Sequence, residues 1–181
     1  VWQSFFANSG AEANEGAIKL ARLWGAKNLD GAYGIISAEK SFHGRTLATL
    51  AATAQDNKQD PFAPLPAGFG RTPLNNIDAL AAALDGEVDG TRPCALMIEC
   101  IQGESGVWPC SLEYLKAARE MTSERNMLLI IDEVQTGFCR TGSYFAFQSY
   151  GIEPDIVTMA KGIADGIPMG AFAAKTELAS L

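Results

Sequence analysis

Histidine is almost missing from this chain: His43 is the only one among 181 residues. It stands far in sequence from Cys94, Cys100, Cys110 and Cys139, and those cysteines form no Cys-x-x-Cys pair. Both absences argue against a structural metal site, and no metal ligand set is assigned. The four cysteines read as reduced thiols of a cytoplasmic protein. Basic residues are scarce too, 14 against 21 acidic ones for a net charge of −7. That balance leaves no basic stripe for a nucleic-acid backbone. No uncharged apolar run approaches the ~20 residues that span a bilayer, so no membrane role is expected. A phosphate-binding G-x-x-x-x-G-K-[ST] loop is lacking. The one approach to a dinucleotide fingerprint, Gly68-Phe69-Gly70-Arg71-Thr72-Pro73, breaks the pattern inside a proline-rich stretch.

What is present alternates between short apolar runs and amphipathic ones, the mark of an α/β protein. The length suits one domain, or the larger part of a two-domain enzyme. Trp2 to Ala7 reads as a strand, followed after Asn8-Ser9-Gly10 by a helix with Ala13, Ala17, Leu20, Ala21 and Trp24 at helical spacing. Tyr33 to Ala38 is the next expected strand and Thr46 to Ala54 a helix. Residues 56–74, with several prolines, read as an irregular loop. Asn75 or Asn76 caps a helix through Leu84, and Ser111 caps another that runs to about Arg125. Cys94 to Ile101, Met127 to Ile131, Asp155 to Met159 and Met169 to Ala174 complete the expected strands.

Strands this apolar belong in a mostly parallel sheet with helices on both faces. Ligands of such sheets gather at the carboxyl ends of the strands. Asn8 to Ala11, Glu99 to Glu104 and Asp132 to Gln135 then share one edge, and Lys161 joins them.

Three of these segments carry chemistry. Asp132 ends a buried strand, where a carboxylate needs a positive or hydrogen-bonding partner. Alone it reads equally as a turn cap or a metal ligand of a nucleotide site, but the latter requires the missing phosphate loop. Lys161 follows another buried strand between small residues, a setting that can desolvate an amine and free it as a nucleophile. A lysine snorkelling to the surface is the plainer alternative. Ser9-Gly10-Ala11 opens a helix with small residues, which lets a phosphate reach free N–H groups.

Together these segments resemble the class III, fold-type I aminotransferases, in particular the acetylornithine aminotransferase branch. The resemblance rests on Phe5-Phe6-Ala7-Asn8-Ser9-Gly10-Ala11-Glu12-Ala13-Asn14-Glu15, Ser41-Phe42-His43-Gly44-Arg45-Thr46 and Ile101-Gln102-Gly103-Glu104-Ser105-Gly106. It continues through Asp132-Glu133-Val134-Gln135-Thr136-Gly137, Arg140-Thr141-Gly142 and Ala160-Lys161-Gly162, in family order along nearly the whole chain.

The resemblance implies pyridoxal 5'-phosphate as cofactor, held covalently by Lys161, with Asp132 on the pyridine nitrogen. Gln135 would bond the ring's 3-oxygen, Val134 and Phe42 would cover its two faces, and Ser9, Gly10 and Ala11 would take the phosphate. Glu133 is carried along as a cofactor contact within the same run. Arg45 would anchor a substrate carboxylate, and Glu104 would act as a gate that pairs with an arginine.

His43 is expected to pack or hydrogen-bond instead of serving as an acid or base. Phe42 could also be core, and Glu99 a structural strand-end carboxylate. Arg140 and Thr141 either shape their loop or touch the cofactor. Three residues depart from the family pattern: Cys100 for a proline, Cys139 for a glycine, and Asp165 in a segment usually rich in glycine.

The resemblance further implies transamination of an ω-amino group, N-acetylornithine with 2-oxoglutarate, by a cytoplasmic homodimer. The chain would be the cofactor-binding large domain, without the N-terminal segment and the C-terminal small domain. Another ω-amine such as 4-aminobutyrate or ornithine, an aminomutase, or an inert cofactor-binding piece remain as alternatives.

Overall fold

The computed structural model describes all 181 residues. Seven strands form one sheet in the order β1, β9, β8, β7, β4, β2, β3. These are β1 (Trp2–Ala7), β2 (Gly34–Ala38), β3 (Phe69–Thr72), β4 (Pro93–Ile98), β7 (Leu128–Asp132), β8 (Ile156–Met159) and β9 (Gly170–Lys175). The pairs from β8 through β3 are parallel, while β9 runs antiparallel to both β8 and β1. A small hairpin, β5 (Ile101–Gln102) with β6 (Trp108–Pro109), stands apart.

Helix α1 (Gly10–Asn28) covers one face of the sheet, and α4 (Ile77–Asp85) and α5 (Leu112–Glu124) cover the other. Strand alternation sorts the core between them. On β7, Leu129 and Ile131 join Leu80, Leu84, Tyr114 and Leu115. Leu128 and Ile130 join Ala17, Ile18 and Ala21 of α1 instead. Both faces of β7 are thus apolar, which is why its sequence is a continuous apolar run.

The helix starts follow their caps. Ser9 Oγ accepts the Glu12 N–H at 3.2 Å, Asn76 Oδ1 the Ala79 N–H at 3.0 Å, and Ser111 Oγ the Tyr114 N–H at 3.1 Å. Asn75, the other candidate cap, takes a left-handed φ of 60°. Its side chain bridges Pro109 O at 3.1 Å and Ser111 N at 2.8 Å instead.

The stretch read as loop, 56–74, contains more order than its prolines suggest. One helical turn, α3 (Asp56–Gln59), precedes a 3-10 turn and the edge strand β3. A Cβ on Gly70 of β3 would lie 2.6 Å from Val88 and 2.8 Å from Ile36, so only glycine lets this edge close against β2. The expected strand from Cys94 to Ile101 is divided as well, with Glu99 and Cys100 turning the chain from β4 into the hairpin. Expected helix Thr46 to Ala54 shortens to α2 (Leu47–Ala52). The turns α6 (Ala146–Ser149) and α7 (Thr176–Ala179) complete the set. No helix is long and apolar enough to cross a membrane.

One buried carboxylate ties the sheet to α5. Asp155 accepts hydrogen bonds from the Leu129 N–H at 2.9 Å, Arg119 at 2.7 Å and Lys175 at 2.9 Å. Asp155→Ala would leave two cations and an amide without their acceptor, an expected loss of about 3–5 kcal/mol in urea unfolding. A loss below about 1 kcal/mol would place these pairs with ordinary surface ones.

Candidate active site

The carboxyl ends of β1, β2, β4, β7 and β8 and the start of β9 meet at one edge of the sheet. A cavity of about 500 Å³ opens there, within the usual size of a small-molecule site. Ser9, Gly10, Ala11, Phe42, Arg45, Glu104, Asp132, Val134, Gln135 and Lys161 all line it. Residues up to 152 positions apart, Ser9 and Lys161, are brought together by strand order alone.

Glu133 does not join them. Next to Asp132 along the chain, its side chain is directed elsewhere: Oε1 accepts the Phe147 N–H at 2.9 Å and Oε2 the Thr136 hydroxyl. The residue is fully buried, and burial raises its pKa against the pull of those donors. Its side chain braces the loop after β7 and is not among the residues that line the cavity.

Asp132 lies at the cavity floor, 3% exposed. Its Oδ2 takes two bonds, from Asn14 Nδ2 at 2.8 Å and His43 Nδ1 at 2.8 Å. Its Oδ1 takes one, from the Val134 N–H at 3.0 Å. A carboxylate oxygen accepts two hydrogen bonds, so Oδ1 keeps one acceptor site. Asn14 also donates to His43 O at 2.7 Å. Sequence reading gave Asn14 no role, because a polar residue one turn into a helix carries no local signal of what it faces. The hydrogen-bonding role expected of His43 is the one seen.

The imidazole of His43 is fully enclosed. Burial pulls its pKa down, but the hydrogen bond to Asp132 and the charges of Asp132 and Glu99 outweigh this and hold it above its ordinary value. Glu99 is pushed up to about 7 by burial, against the opposing charge of His43; Asp132 and Glu104 add to the rise and the Phe42 N–H opposes it.

At the opposite wall α1 begins. Gly10 and Ala11 are its first residues, so their N–H groups have no acceptor within the helix. A Cβ on Gly10 would come within 2.9 Å of Val134, and glycine keeps this approach open. Lys161 donates from Nζ to Gln135 Oε1. It adopts a left-handed φ of 50°, a region that residues other than glycine take uncommonly. The desolvated setting expected for Lys161 is not provided by these residues, because it sits on an exposed turn after β8. Asp165 is likewise exposed. Phe42 is half-buried, and Arg45 is exposed with its guanidinium carbon 5.7 Å from the Phe42 ring centre. Glu104, exposed in the hairpin loop, makes no ion pair with it.

A primary amine, a buried carboxylate with a free acceptor site and two unpaired helix-start N–H groups on one cavity fit an aldehyde, a protonated pyridine and a phosphate. With the sheet order, they define a pyridoxal-phosphate enzyme of fold-type I. The chain belongs to the class III aminotransferases: the model of that family, "Aminotransferase class-III", matches residues 3–181.

Among curated relatives, the chain is 52% identical to an acetylornithine aminotransferase of Caldanaerobacter subterraneus subsp. tengcongensis. That match covers 97% of this chain and 44% of the relative. It is 51% identical to an acetylornithine aminotransferase of Methanocaldococcus jannaschii, over 98% of this chain and 44% of the relative. An aminotransferase structure from Bacillus anthracis superposes with a TM-score of 0.91 at 34% identity, covering 98% of this chain and 44% of that one. The ornithine aminotransferase of Toxoplasma gondii superposes with a TM-score of 0.90 at 32% identity, covering 98% and 42%. The chain thus spans less than half the length of the curated relatives it matches.

Proposed function

We propose that these residues are the cofactor-binding large domain of a longer protein that transfers an ω-amino group, from N-acetylornithine to 2-oxoglutarate. The observation that carries the reading is the convergence of Lys161, the Asp132 carboxylate and the Gly10–Ala11 helix start on one cavity. The acetylornithine assignment is supported by the names of the relatives at about half identity.

Bound pyridoxal phosphate supplies an electron-withdrawing ring and an aldehyde carbon. Lys161 would hold the cofactor and would carry the proton to and from the substrate carbon that bears the amine. Asp132, oriented by Asn14, His43 and the Val134 N–H, would hold the ring nitrogen in its charged form. Gly10 and Ala11 would take the phosphate, with Ser9 beside them; Gln135, Val134 and Phe42 would orient the ring. Arg45 binds the distal carboxylate of the substrate, and Glu104 serves as the gate on the facing loop.

We take the longer protein to be a cytoplasmic homodimer. The free, unpaired thiols accord with a reducing compartment. The edge strand β1 leaves Phe5 62% and Phe6 65% exposed, apolar surface at the sheet's edge that a neighbour would cover.

Arg45 tests the substrate assignment. Lysine cannot reproduce a two-pronged carboxylate contact, and losing such a pair costs about 1.5–3 kcal/mol, roughly ten- to a hundred-fold. In the full-length protein, Arg45→Lys should lower kcat/KM for N-acetylornithine by that factor and barely alter a simple ω-amine without a carboxylate. Equal losses for both amines would remove Arg45 from the substrate site. Faster turnover of ornithine or 4-aminobutyrate than of N-acetylornithine by the unaltered protein would overturn the assignment itself.

A further inference from the structure

A second cation stands at the ring beside Arg45, and the proposed reaction gives it no task. Lys58 of α3 brings its ammonium to 4.7 Å from the Phe42 ring centre, nearer than the Arg45 guanidinium at 5.7 Å. Both lie within the ~6 Å over which a cation is drawn to an aromatic face. Phe42 and Arg45 line the cavity; Lys58, half-buried, stands outside the lining and meets it at Phe42.

Both cations are carried by segments that the chain holds in place. Gln55, just before α3, donates to Ser41 O at 2.9 Å and so ties this turn to the residue preceding Phe42. Gln59, at the end of α3, donates to Leu50 O at 3.0 Å and Thr53 O at 2.8 Å. Thr46, next to Arg45, donates to Glu15 of α1 and meets the Thr49 hydroxyl at 2.7 Å.

No carboxylate neutralises either cation, since Arg45 and Lys58 take part in none of the ion pairs. Asp56, two residues before Lys58, is held by Arg71 at 2.6 Å instead. Two like charges kept beside one ring repel, and an anion that meets both relieves the repulsion.

We infer that Lys58 is a specificity-determining residue of this site: with Arg45 it forms a two-cation clamp for the substrate carboxylate farthest from the reacting carbon. A carboxylate offers about four lone-pair positions on its two oxygens. The guanidinium takes two of them with its planar fork. The ammonium, a point charge with three donors, takes another. Such a clamp favours substrates that end in a carboxylate over amines that end in an apolar group. The inference rests on the cavity being the site of an amino acid and a 2-oxo acid, but its binding test requires neither to react.

The test is calorimetric titration of the full-length holoprotein with glutarate, a dicarboxylate that has no amine and no keto group. Lys58→Met keeps an unbranched stem against Phe42 and removes the charge. It should weaken glutarate binding about fivefold, and Lys58→Arg should restore it. Added salt should weaken binding by the unaltered protein more than by Lys58→Met. In turnover, Lys58→Met should raise KM for 2-oxoglutarate by the same factor while kcat moves less than about twofold. Unmoved glutarate affinity or an unmoved KM overturns the inference, and glutarate that fails to bind the unaltered protein is equally fatal. A fall in kcat with glutarate affinity intact would leave Lys58 a support for the Phe42 ring and nothing more. If Lys58→Met does not fold, Lys58→Gln takes its place with the same expectations. Faster turnover of ornithine together with a Lys58-dependent glutarate affinity sinks the substrate assignment and upholds the clamp. Turnover of N-acetylornithine with a glutarate affinity indifferent to Lys58 sinks the clamp alone.

Discussion

Lys161→Ala should reduce transamination by the full-length protein by more than about 10⁴-fold, since it removes both the attachment point and the proton carrier. Noncovalent cofactor binding should survive, because Asp132 and the start of α1 are untouched. The visible absorbance of the unaltered holoprotein should be missing from the variant. Borohydride reduction of the unaltered protein followed by peptide mapping should find the cofactor mass on the Lys161 peptide. The structure makes the alternatives poor. Lys175 is engaged by Asp155 at 2.9 Å, and Lys40 lies 5.8 Å from the Trp108 ring centre; neither lines the cavity. Label on either, or on no lysine, would end the central claim.

Asp132→Asn should lower kcat by about 10²–10³-fold with a smaller change in KM, because the lost charge acts mainly on the developing carbanion. The amide is close in shape, yet the surrounding donors do not suit it. Turned one way, its NH₂ faces the Val134 N–H; turned the other, it faces Asn14 Nδ2. Either orientation sets donor against donor, for an expected loss of about 1–3 kcal/mol in unfolding experiments. Near-normal kcat with reduced stability would make Asp132 a structural residue and nothing more.

The layered architecture was legible because its signals are local. A strand buried on both faces must be a short continuous apolar run, as Leu128 to Ile131 and Ala95 to Ile98 are. A helix start must satisfy its own N–H groups, as Ser9, Asn76 and Ser111 do. Strand β3 escaped notice because its space for packing is made by Ile36 and Val88, residues distant in sequence, and leaves room only for glycine.

The same division holds at the site. From the chain alone follow the positions of Asp132 and Lys161 just after buried strands and the small residues at the start of α1, since each depends on nearest neighbours. Whether Glu133 faces the cavity is decided by the turn after β7, and the tertiary fold sends it to Thr136 and Phe147. Asn14 and His43 meet Asp132 only because α1 crosses the sheet above β7 and β4 alone separates β2 from β7. Those contacts join residues 118 and 89 positions apart. Short-range spacing carries no trace of such partners, because the strand order that makes them neighbours is set by packing across the whole sheet.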